Sequence, residues 1–297
     1  AVMDPDGMAI EAEIPVGRGP WRMTVHHGQK KAVTTNKLDN SFSVIDLNTN
    51  TVEKNISVNG RAQGTAFNVD GSVLLTTMDL EGAGGDAYEA YAVPGISLIK
   101  TVVLNDFPTP VDIAQSSDPH FHYRYLVGDK DAGLLIYDDI NDRRVAQIPL
   151  GGYSIKVMDS NNGDLIYALV ETENNDGALK VISTGSFAQV AYVQFSHYPF
   201  DILESRDGST LYILLSDGSI SIIETEMWTR TMNKVISGAY LSEGMALSPD
   251  ESLLYVAKRS PLPPDMVLEI QTSDLSEIGA YPTCLGINLV RIFRESI

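Results

Sequence analysis

The chain has 297 residues, of which 43% are hydrophobic, enough to form a sizeable core and to exclude a disordered protein. Its 39 acidic and 21 basic residues give a formal net charge of −18. Such a charge repels polyanions and argues against nucleic acid as a partner. The single cysteine, Cys284, excludes an internal disulfide and a multi-cysteine metal site. No apolar run is long enough to cross a bilayer, so we expect no membrane insertion.

The first predicted elements are short strands that follow one another closely. Residues 8–14 are predicted as an outer strand, and a turn at 16–20 then leads into a strand at 22–25. Further strands are predicted at 32–36, 43–46 and 52–58. Polar turns flanked by apolar strands are the strongest short-range signal for β-hairpins. This segment therefore predicts a four-stranded antiparallel sheet.

The same pattern recurs along the rest of the chain. Second strands are predicted again at 73–77, 123–127, 165–169, 211–215 and 253–257, three of them after an Asp-Gly or Asn-Gly turn. Four short strands in each repeat of forty-odd residues are the signature of a propeller blade, and no stretch shows helical spacing. We therefore predict one all-β domain over residues 1–297, a seven-bladed β-propeller. The first strands carry anchor residues 42 to 47 positions apart: Val25, Phe67, Ala114, Met158, Leu203, Leu247 and Leu289.

The blade that closes the ring is predicted to be incomplete. Leu289 lies eight residues from the end, so the N- and C-terminal strands together leave this seam blade about one strand short. Three arrangements stay open. The seam blade has three strands, with residues 286–292 as its inner strand; or the ring has six blades and a loose C-terminal strand; or a neighbouring chain supplies the missing strand.

The first repeat resembles the YVTN family of propellers, which are related to WD-repeat proteins. The similar segments are the Val-Gly-x-x-Pro entry at 16–20 and the strands at 32–36 and 39–46, with a second match at 248–257. The resemblance implies an extracellular, cell-surface or periplasmic protein that binds a protein partner or assembles with itself. It also implies an alternative, the heavy subunit of a periplasmic oxidoreductase complex. The middle repeats depart from the pattern, so the resemblance specifies the fold rather than an activity.

Acidic residues recur in the loops that join second to third strands. In a propeller these loops share one face, around the central channel, where ligands usually bind. We therefore predict a rigid acidic binding face. Its predicted ligand-binding residues are Asp39, Asp79, Glu81, Asp129, Asp131, Glu171, Glu173, Asp176, His197 and Asp217.

Two of these loops have the oxygen-rich composition that Ca²⁺ prefers. The candidate metal ligands are Asp129 and Asp131 in one loop and Glu173 and Asp176 in the other. The competing interpretation is that Asp and Asn occur there because they stabilise turns by bonding to their own backbone. No complete calcium motif is present, so calcium is the one cofactor that the sequence suggests and the site stays open.

No sequence motif indicates catalysis. The chain has no Gly-x-Ser-x-Gly elbow, no Gly-rich phosphate loop and no Cys-x-x-Cys-His haem motif, so no catalytic residue is assigned. Histidines 26, 27, 120 and 122 are predicted on the face opposite the acidic loops, as surface turn residues rather than metal ligands. We predict a non-catalytic extracellular binding or assembly module. The alternatives are a metal-dependent lyase or hydrolase at the channel mouth, and the oxidoreductase subunit above.

Overall fold

The computed structural model describes residues 1–4, 9–80, 86–104, 109–118, 122–128, 132–141, 143–236, 241–259 and 264–283. Six four-stranded sheets dominate this part of the chain. Each sheet is built from four consecutive strands paired antiparallel, and the first strands of successive sheets lie side by side. The all-β propeller predicted from the repeat is confirmed, and the described residues form six blades.

Two short strands precede the blades and pair with each other antiparallel: β1 (Val2–Met3) and β2 (Ile10–Ala12). Blade 1 contains β3 (Pro20–His26), β4 (Lys31–Asn36), β5 (Ser41–Asp46) and β6 (Thr51–Ser57). Blade 2 contains β7 (Arg61–Phe67), β8 (Val73–Asp79), β9 (Asp86–Ala92) and β10 (Ser97–Leu104). Blade 3 contains β11 (Pro110–Gln115), β12 (Tyr123–Gly128), β13 (Leu134–Asp138) and β14 (Arg143–Ile148).

The remaining blades repeat this order. Blade 4 contains β15 (Tyr153–Asp159), β16 (Leu165–Glu171), β17 (Gly177–Ser183) and β18 (Gln189–Phe195). Blade 5 contains β19 (Pro199–Glu204), β20 (Thr210–Leu215), β21 (Ser219–Glu224) and β22 (Thr229–Val235). Blade 6 contains β23 (Leu241–Leu247), β24 (Leu253–Lys258), β25 (Met266–Gln271) and β26 (Glu277–Pro282). A three-residue 3-10 helix, Glu173–Asn175, interrupts the loop between β16 and β17.

Successive residues of the second strands are buried on both faces of the sheet. Leu74 and Leu75 are both fully buried, but Leu74 packs with Val33 and Phe42 of blade 1, whereas Leu75 packs with Leu126 of blade 3. Alternate side chains of a strand point to opposite faces, so both faces of a blade need a neighbour. This requirement explains why the second strands are apolar runs rather than alternating ones.

The hydrophobic core is divided among the spaces between blades. Five clusters lie between successive blades, from blade 1 with blade 2 to blade 5 with blade 6. A sixth cluster joins Tyr255 and Val267 of blade 6 to Met3 of β1. The N-terminal segment thus covers the outer face of blade 6, where a closing sheet would lie.

A recurring hydrogen bond links the turns of neighbouring blades. The backbone N–H of Ser117 donates to Asp159 Oδ2 (2.6 Å) of the next blade, and that of Asn161 donates to Glu204 Oε2 (2.6 Å). Arg206 N–H donates to Glu251 Oε1 (2.5 Å) in the same way. Hydrogen bonds from N–H groups to carboxylates are among the stronger ones. Here they fix the angle of each blade to the next, from blade 3 to blade 6.

The six described first-strand anchors all fall on the innermost strand of a blade, as predicted. Within the predicted strand at 8–14, residues 10–12 form β2, which pairs with β1 in a two-stranded sheet. Leu289, the inner strand predicted at 286–292 and Cys284 lie outside the described residues. The seventh blade and the exchange of its strand therefore stay predictions. No helix in the part of the chain described is long and apolar enough to span a membrane.

Candidate functional site

The innermost strands line a central channel and share one irregularity. In every blade the pairing of the first strand with the second shifts register near its start, for example between Pro110 and Asp112 and between Pro199 and Asp201. Such shifts re-aim a side chain at the edge of a sheet. In five blades a polar residue occupies this position, and we call these residues the channel belt: Arg22, Gln63, Asp112, Lys156 and Asp201.

The channel belt is held together across the channel and from blade to blade. Arg22 Nη2 donates to the carbonyl of Ile155 (2.9 Å), which joins blade 1 to blade 4. Lys156 of blade 4 forms an ion pair with the fully buried Asp201 of blade 5. These contacts link the inner strands of blades 1, 4 and 5 through the belt.

Belt carboxylates also accept backbone hydrogen bonds from the next blade. Asp112 Oδ2 accepts from Val157 N–H (3.2 Å), and Asp201 Oδ2 accepts from Met245 N–H (2.8 Å). Burial raises the pKa of Asp112, and the positive charges of Arg22 and Lys156 oppose that rise. The belt is therefore a network of buried charges whose members depend on one another.

Beside the belt lies a cavity of about 600 Å³, lined by inner strands of blades 1 to 4. Its lining includes His26, His27, Gln115, Met158 and Asp159. The ring of His26 lies with Nε2 3.0 Å from the carbonyl oxygen of Val69, which ties blade 1 to blade 2. Burial and the neighbouring His26 lower the pKa of His27. Since His26 and Asp159 are the last residues of the first strands β3 and β15, the cavity opens at the end of the channel opposite the acidic loops.

Asp159 is the ionisable group at this mouth whose environment is most unusual. Burial raises the pKa of its carboxyl group from 3.8 to about 6, and the nearby Glu204 and Asp118 add to the rise. The hydrogen bonds from Ser117 oppose it. A carboxyl group that titrates near neutral pH can bind or release a proton, but the same group also accepts the inter-blade bond described above. The first role of the Asp159 carboxyl group is therefore structural.

Asp39 follows the second strand β4, and Asp217 follows the second strand β20. Asp39 accepts hydrogen bonds from Arg18 N–H (2.7 Å) and Nε (2.6 Å), and these bonds lower the pKa of its carboxyl group. Asp217 accepts from Ser219 N–H (3.0 Å) and lies 3.3 Å from His197 Nδ1. In the part of the chain that the structure describes, His197 and Asp217 are a predicted pair that the fold brings together.

The other predicted residues are placed as follows. Asp79 and Glu171 end β8 and β16, and the carbonyl of Asp176 accepts from Thr172 N–H (2.8 Å) across its loop. Glu173 begins the 3-10 helix. Glu81, Asp129 and Asp131 lie outside the described residues. Within the described ranges, no three His, Cys, Asp or Glu side chains are arranged to hold a metal ion. The calcium site on Asp129, Asp131, Glu173 and Asp176 stays a prediction.

Apolar and aromatic side chains lie between the acidic loops, and we call them the apolar rim: Trp21, Leu38, Tyr153, Tyr198 and Phe200. The ammonium group of Lys37 lies 4.5 Å from the centre of the Trp21 ring. The rings of Tyr198 and Phe200 are 5.2 Å apart and almost perpendicular. Because Tyr153 pairs with Glu171 in the sheet, the rim and the acidic residues share one end of the channel, which we call the acidic face.

Sequence reasoning missed the channel belt and most of the apolar rim. The signal for the belt was present: Asp112, Lys156 and Asp201 are single charges flanked by apolar residues near the start of inner strands. In the sequence, Tyr153 precedes Lys156, and Tyr198 and Phe200 precede Asp201, by a few positions. Neither set stands out until the repeats are superposed blade by blade.

Comparison with known proteins agrees with the fold and adds no family. No protein family and no curated protein sequence matches this chain. Among solved structures, hydrazine synthase from Kuenenia stuttgartiensis is similar at TM-score 0.81 and 17% identity, covering 97% of this chain and 94% of that one. The β-propeller domain of Cps50 (Swd1) from Myceliophteria thermophila is similar at TM-score 0.77 and 10% identity, covering 95% and 92%.

A functionally unknown protein from Desulfotomaculum acetoxidans DSM 771 is also similar, at TM-score 0.74 and 14% identity, covering 89% of this chain and 86% of that one. At these identities the similarity shows the fold alone. The comparisons therefore agree with the geometry in defining the chain as an all-β propeller. Membership of the YVTN family stays a prediction.

The first prediction concerns the ion pair in the belt. Substituting Lys156→Met leaves the buried carboxylate of Asp201 without its cation, which should lower the free energy of unfolding by about 3 kcal/mol. Urea denaturation measures the change. Arg18→Met, which breaks the exposed pair with Asp39, is the control and should lower the free energy of unfolding much less, because exposed ion pairs contribute little. Equal losses for the two variants would show that the belt pair has no special role.

The second prediction concerns Asp159. Its pKa is higher in the folded protein (about 6) than the ordinary value of 3.8, so the folded state binds the proton more tightly. The free energy of unfolding should therefore fall as pH rises from about 4 to about 6. Asp159→Asn should remove about 1 to 3 kcal/mol of that fall, as measured by urea denaturation at several pH values.

The matched control is Asp207→Asn at an equivalent turn. Hydrogen bonds from Ser205 and Ser209 lower the pKa of Asp207 to about 2, so its contribution is lost only as pH falls below the ordinary value. This variant should keep the wild-type pH dependence between pH 4 and 6. If Asp159→Asn also keeps it, the proposed titration of Asp159 is wrong.

Proposed function

We propose that this chain is a non-catalytic binding module that holds a protein partner on its acidic face. The observation that carries the proposal is the interleaving of the apolar rim with carboxylates. Leu38 adjoins Asp39 in the sequence, Tyr153 pairs with Glu171 in the sheet, and Tyr198 adjoins His197 in the sequence. Aromatic anchors surrounded by charged residues are typical of protein interfaces.

The charge of the module suggests the chemistry of the partner. A net charge of −18 and the carboxylates of this face favour a surface that carries lysine and arginine together with apolar side chains. The proposal keeps the expected location outside the cytoplasm, which rests on the resemblance of the first repeat to the YVTN family. A rigid ring suits such a role, because three rim residues, Trp21, Tyr153 and Phe200, lie at the starts of strands whose positions the belt fixes.

The channel contributes to this role as a support. Four of the belt residues direct their polar groups at one another or at the backbone of other blades: Arg22, Asp112, Lys156 and Asp201. They therefore fix the positions of the inner strands. Three rim residues, Trp21, Tyr153 and Phe200, lie at the starts of these strands. A partner on the acidic face would contact the starts of these strands and meet a preorganised surface.

The third prediction tests which face binds. A photo-crosslinking amino acid is placed at Leu38, which is 70% exposed on the acidic face, or at Met227, which is 69% exposed on the opposite face. The Leu38 variant should crosslink one partner protein in extracts of the source cells, and the Met227 variant should not. Crosslinking of the same protein from both positions, or from Met227 alone, would refute the proposed face.

The rim can then be tested with the captured partner. Trp21→Ala with Tyr153→Ala should weaken binding roughly tenfold or more, because truncation of aromatic anchors removes most of an interface's energy. Raising the salt concentration should weaken binding further if basic residues of the partner contact the carboxylates. The melting temperature of the double variant provides the control for folding.

A second candidate is a structural subunit of an enzyme complex. The observation in its favour is that a chain of almost the same extent and fold occurs in a structure of hydrazine synthase. In that case the protein captured at Leu38 would carry a redox cofactor and absorb visible light. A colourless partner would favour a simple binding module.

A further inference from the structure

The outer edge of blade 2 differs from the outer edges of the other blades. Its outermost strand β10 is eight residues long, the longest of the described strands. Leu98, Ile99 and Val103 in this strand are 54%, 55% and 47% exposed. Its one described neighbour in the sheet is β9, so its second edge faces away from the blade. An exposed, apolar edge strand of this length is a template for pairing with another strand.

Other outer strands carry charges that discourage such pairing. Glu53 and Lys54 lie in β6, Arg143 and Arg144 in β14, and Glu277 in β26. Charged side chains on edge strands are a common device against edge-to-edge association. The sequence of β10, Ser-Leu-Ile-Lys-Thr-Val-Val-Leu, has no acidic residue and one basic residue.

That basic residue is already engaged. Lys100 Nζ lies 2.7 Å from Asp139 Oδ1 and 3.3 Å from the carbonyl of Asp139 in blade 3. The ammonium group is thus directed towards the next blade. The outer strand β18 of blade 4 also lacks charges, but the carbonyl of Gln194 on it accepts a hydrogen bond from Arg230 Nη2 (2.5 Å) of blade 5. Of these two edges without acidic residues, β10 is the one with more exposed aliphatic surface.

We propose that β10 pairs antiparallel with β10 of a second copy of this chain, forming a two-fold symmetric dimer through a continuous eight-stranded sheet. The choice of a second copy rests on charge. Two molecules of net charge −18 repel each other over most of their surfaces, and β10 is an edge at which no acidic side chain of the strand opposes contact. Closed two-fold dimers use the same patch on both partners.

The sequence of the strand also fits pairing with itself. Opposite residues of an antiparallel pair point to the same face, so a two-fold axis must pass through one residue position. With the axis at Thr101, the two Thr101 side chains lie opposite each other, a favourable cross-strand pair. Each Lys100 then faces Val102 of the second copy rather than another lysine. The register therefore keeps like charges apart over residues 100–104, beyond the register shift that β10 shows between Leu98 and Lys100.

The fourth prediction uses disulfide trapping in a Cys284→Ser background. Thr101→Cys should form a disulfide-linked dimer under mild oxidation, because directly opposite residues meet the distance that a disulfide requires. The matched control is Thr231→Cys, at an exposed position in the outer strand β22 of blade 5. We expect roughly tenfold more dimer for Thr101→Cys. Equal crosslinking of the two variants would overturn the proposal.

Association without any crosslink is measured by sedimentation of the whole chain. The dimer dissociation constant should fall as salt is added, because screening weakens the repulsion between two acidic molecules. Val103→Lys should raise that constant roughly tenfold, whereas Val190→Lys in β18 should leave it unchanged. A monomer at all concentrations and salt levels, or an equal effect of both lysines, would overturn the proposal. Because β10 and Leu38 lie in different blades and are tested by different variants, either proposal can fail while the other stands.

Discussion

The structure depends on one constraint: each blade is a sheet whose two faces are both apolar. Leu74 and Leu75 are adjacent in sequence, yet they belong to the cores on opposite sides of blade 2. A single blade would leave one of these faces in water, at a cost of about 25 cal/mol for each Å² of apolar surface. The blades must therefore stack side by side, and right-handed strand twist closes the stack into a ring. Met3 on blade 6 extends the same principle to the end of the described ring.

Polar contacts set the relative orientation of neighbouring blades, which apolar packing only brings into contact. Apolar contact is non-directional, so it does not fix the angle between two blades. The bonds from Ser117, Asn161 and Arg206 to carboxylates of the next blade supply that direction at one end of the channel. The belt supplies it nearer the acidic face, through Asp112 and Asp201. The same acidic residues that give the chain its charge thus also hold its blades in register.

The two surfaces discussed above have different physical characters. The acidic face offers aromatic side chains among carboxylates, which suits a partner of opposite charge. The edge at β10 offers backbone hydrogen-bonding groups and aliphatic side chains, which suits another strand. Because strands order the rim residues and β9 orders β10, neither surface would have to fold upon binding. A ring of rigid blades can in this way carry several independent contacts.

The sequence by itself determined the blade. The repeat predicted the strands of the six described blades from strand periodicity, Asp-Gly and Asn-Gly turns and the spacing of the anchors. It also predicted loops after second strands for Asp39, Asp79, Glu171 and Asp217. Both were readable because hairpins are encoded by neighbouring residues. Only the tertiary structure decided which residues meet across blades. Arg22 contacts Ile155, and Lys156 contacts Asp201, at separations that no local pattern records. It also decided that β2 pairs with β1 and that β10 keeps an exposed apolar edge, since both depend on how far each sheet is covered by its neighbours.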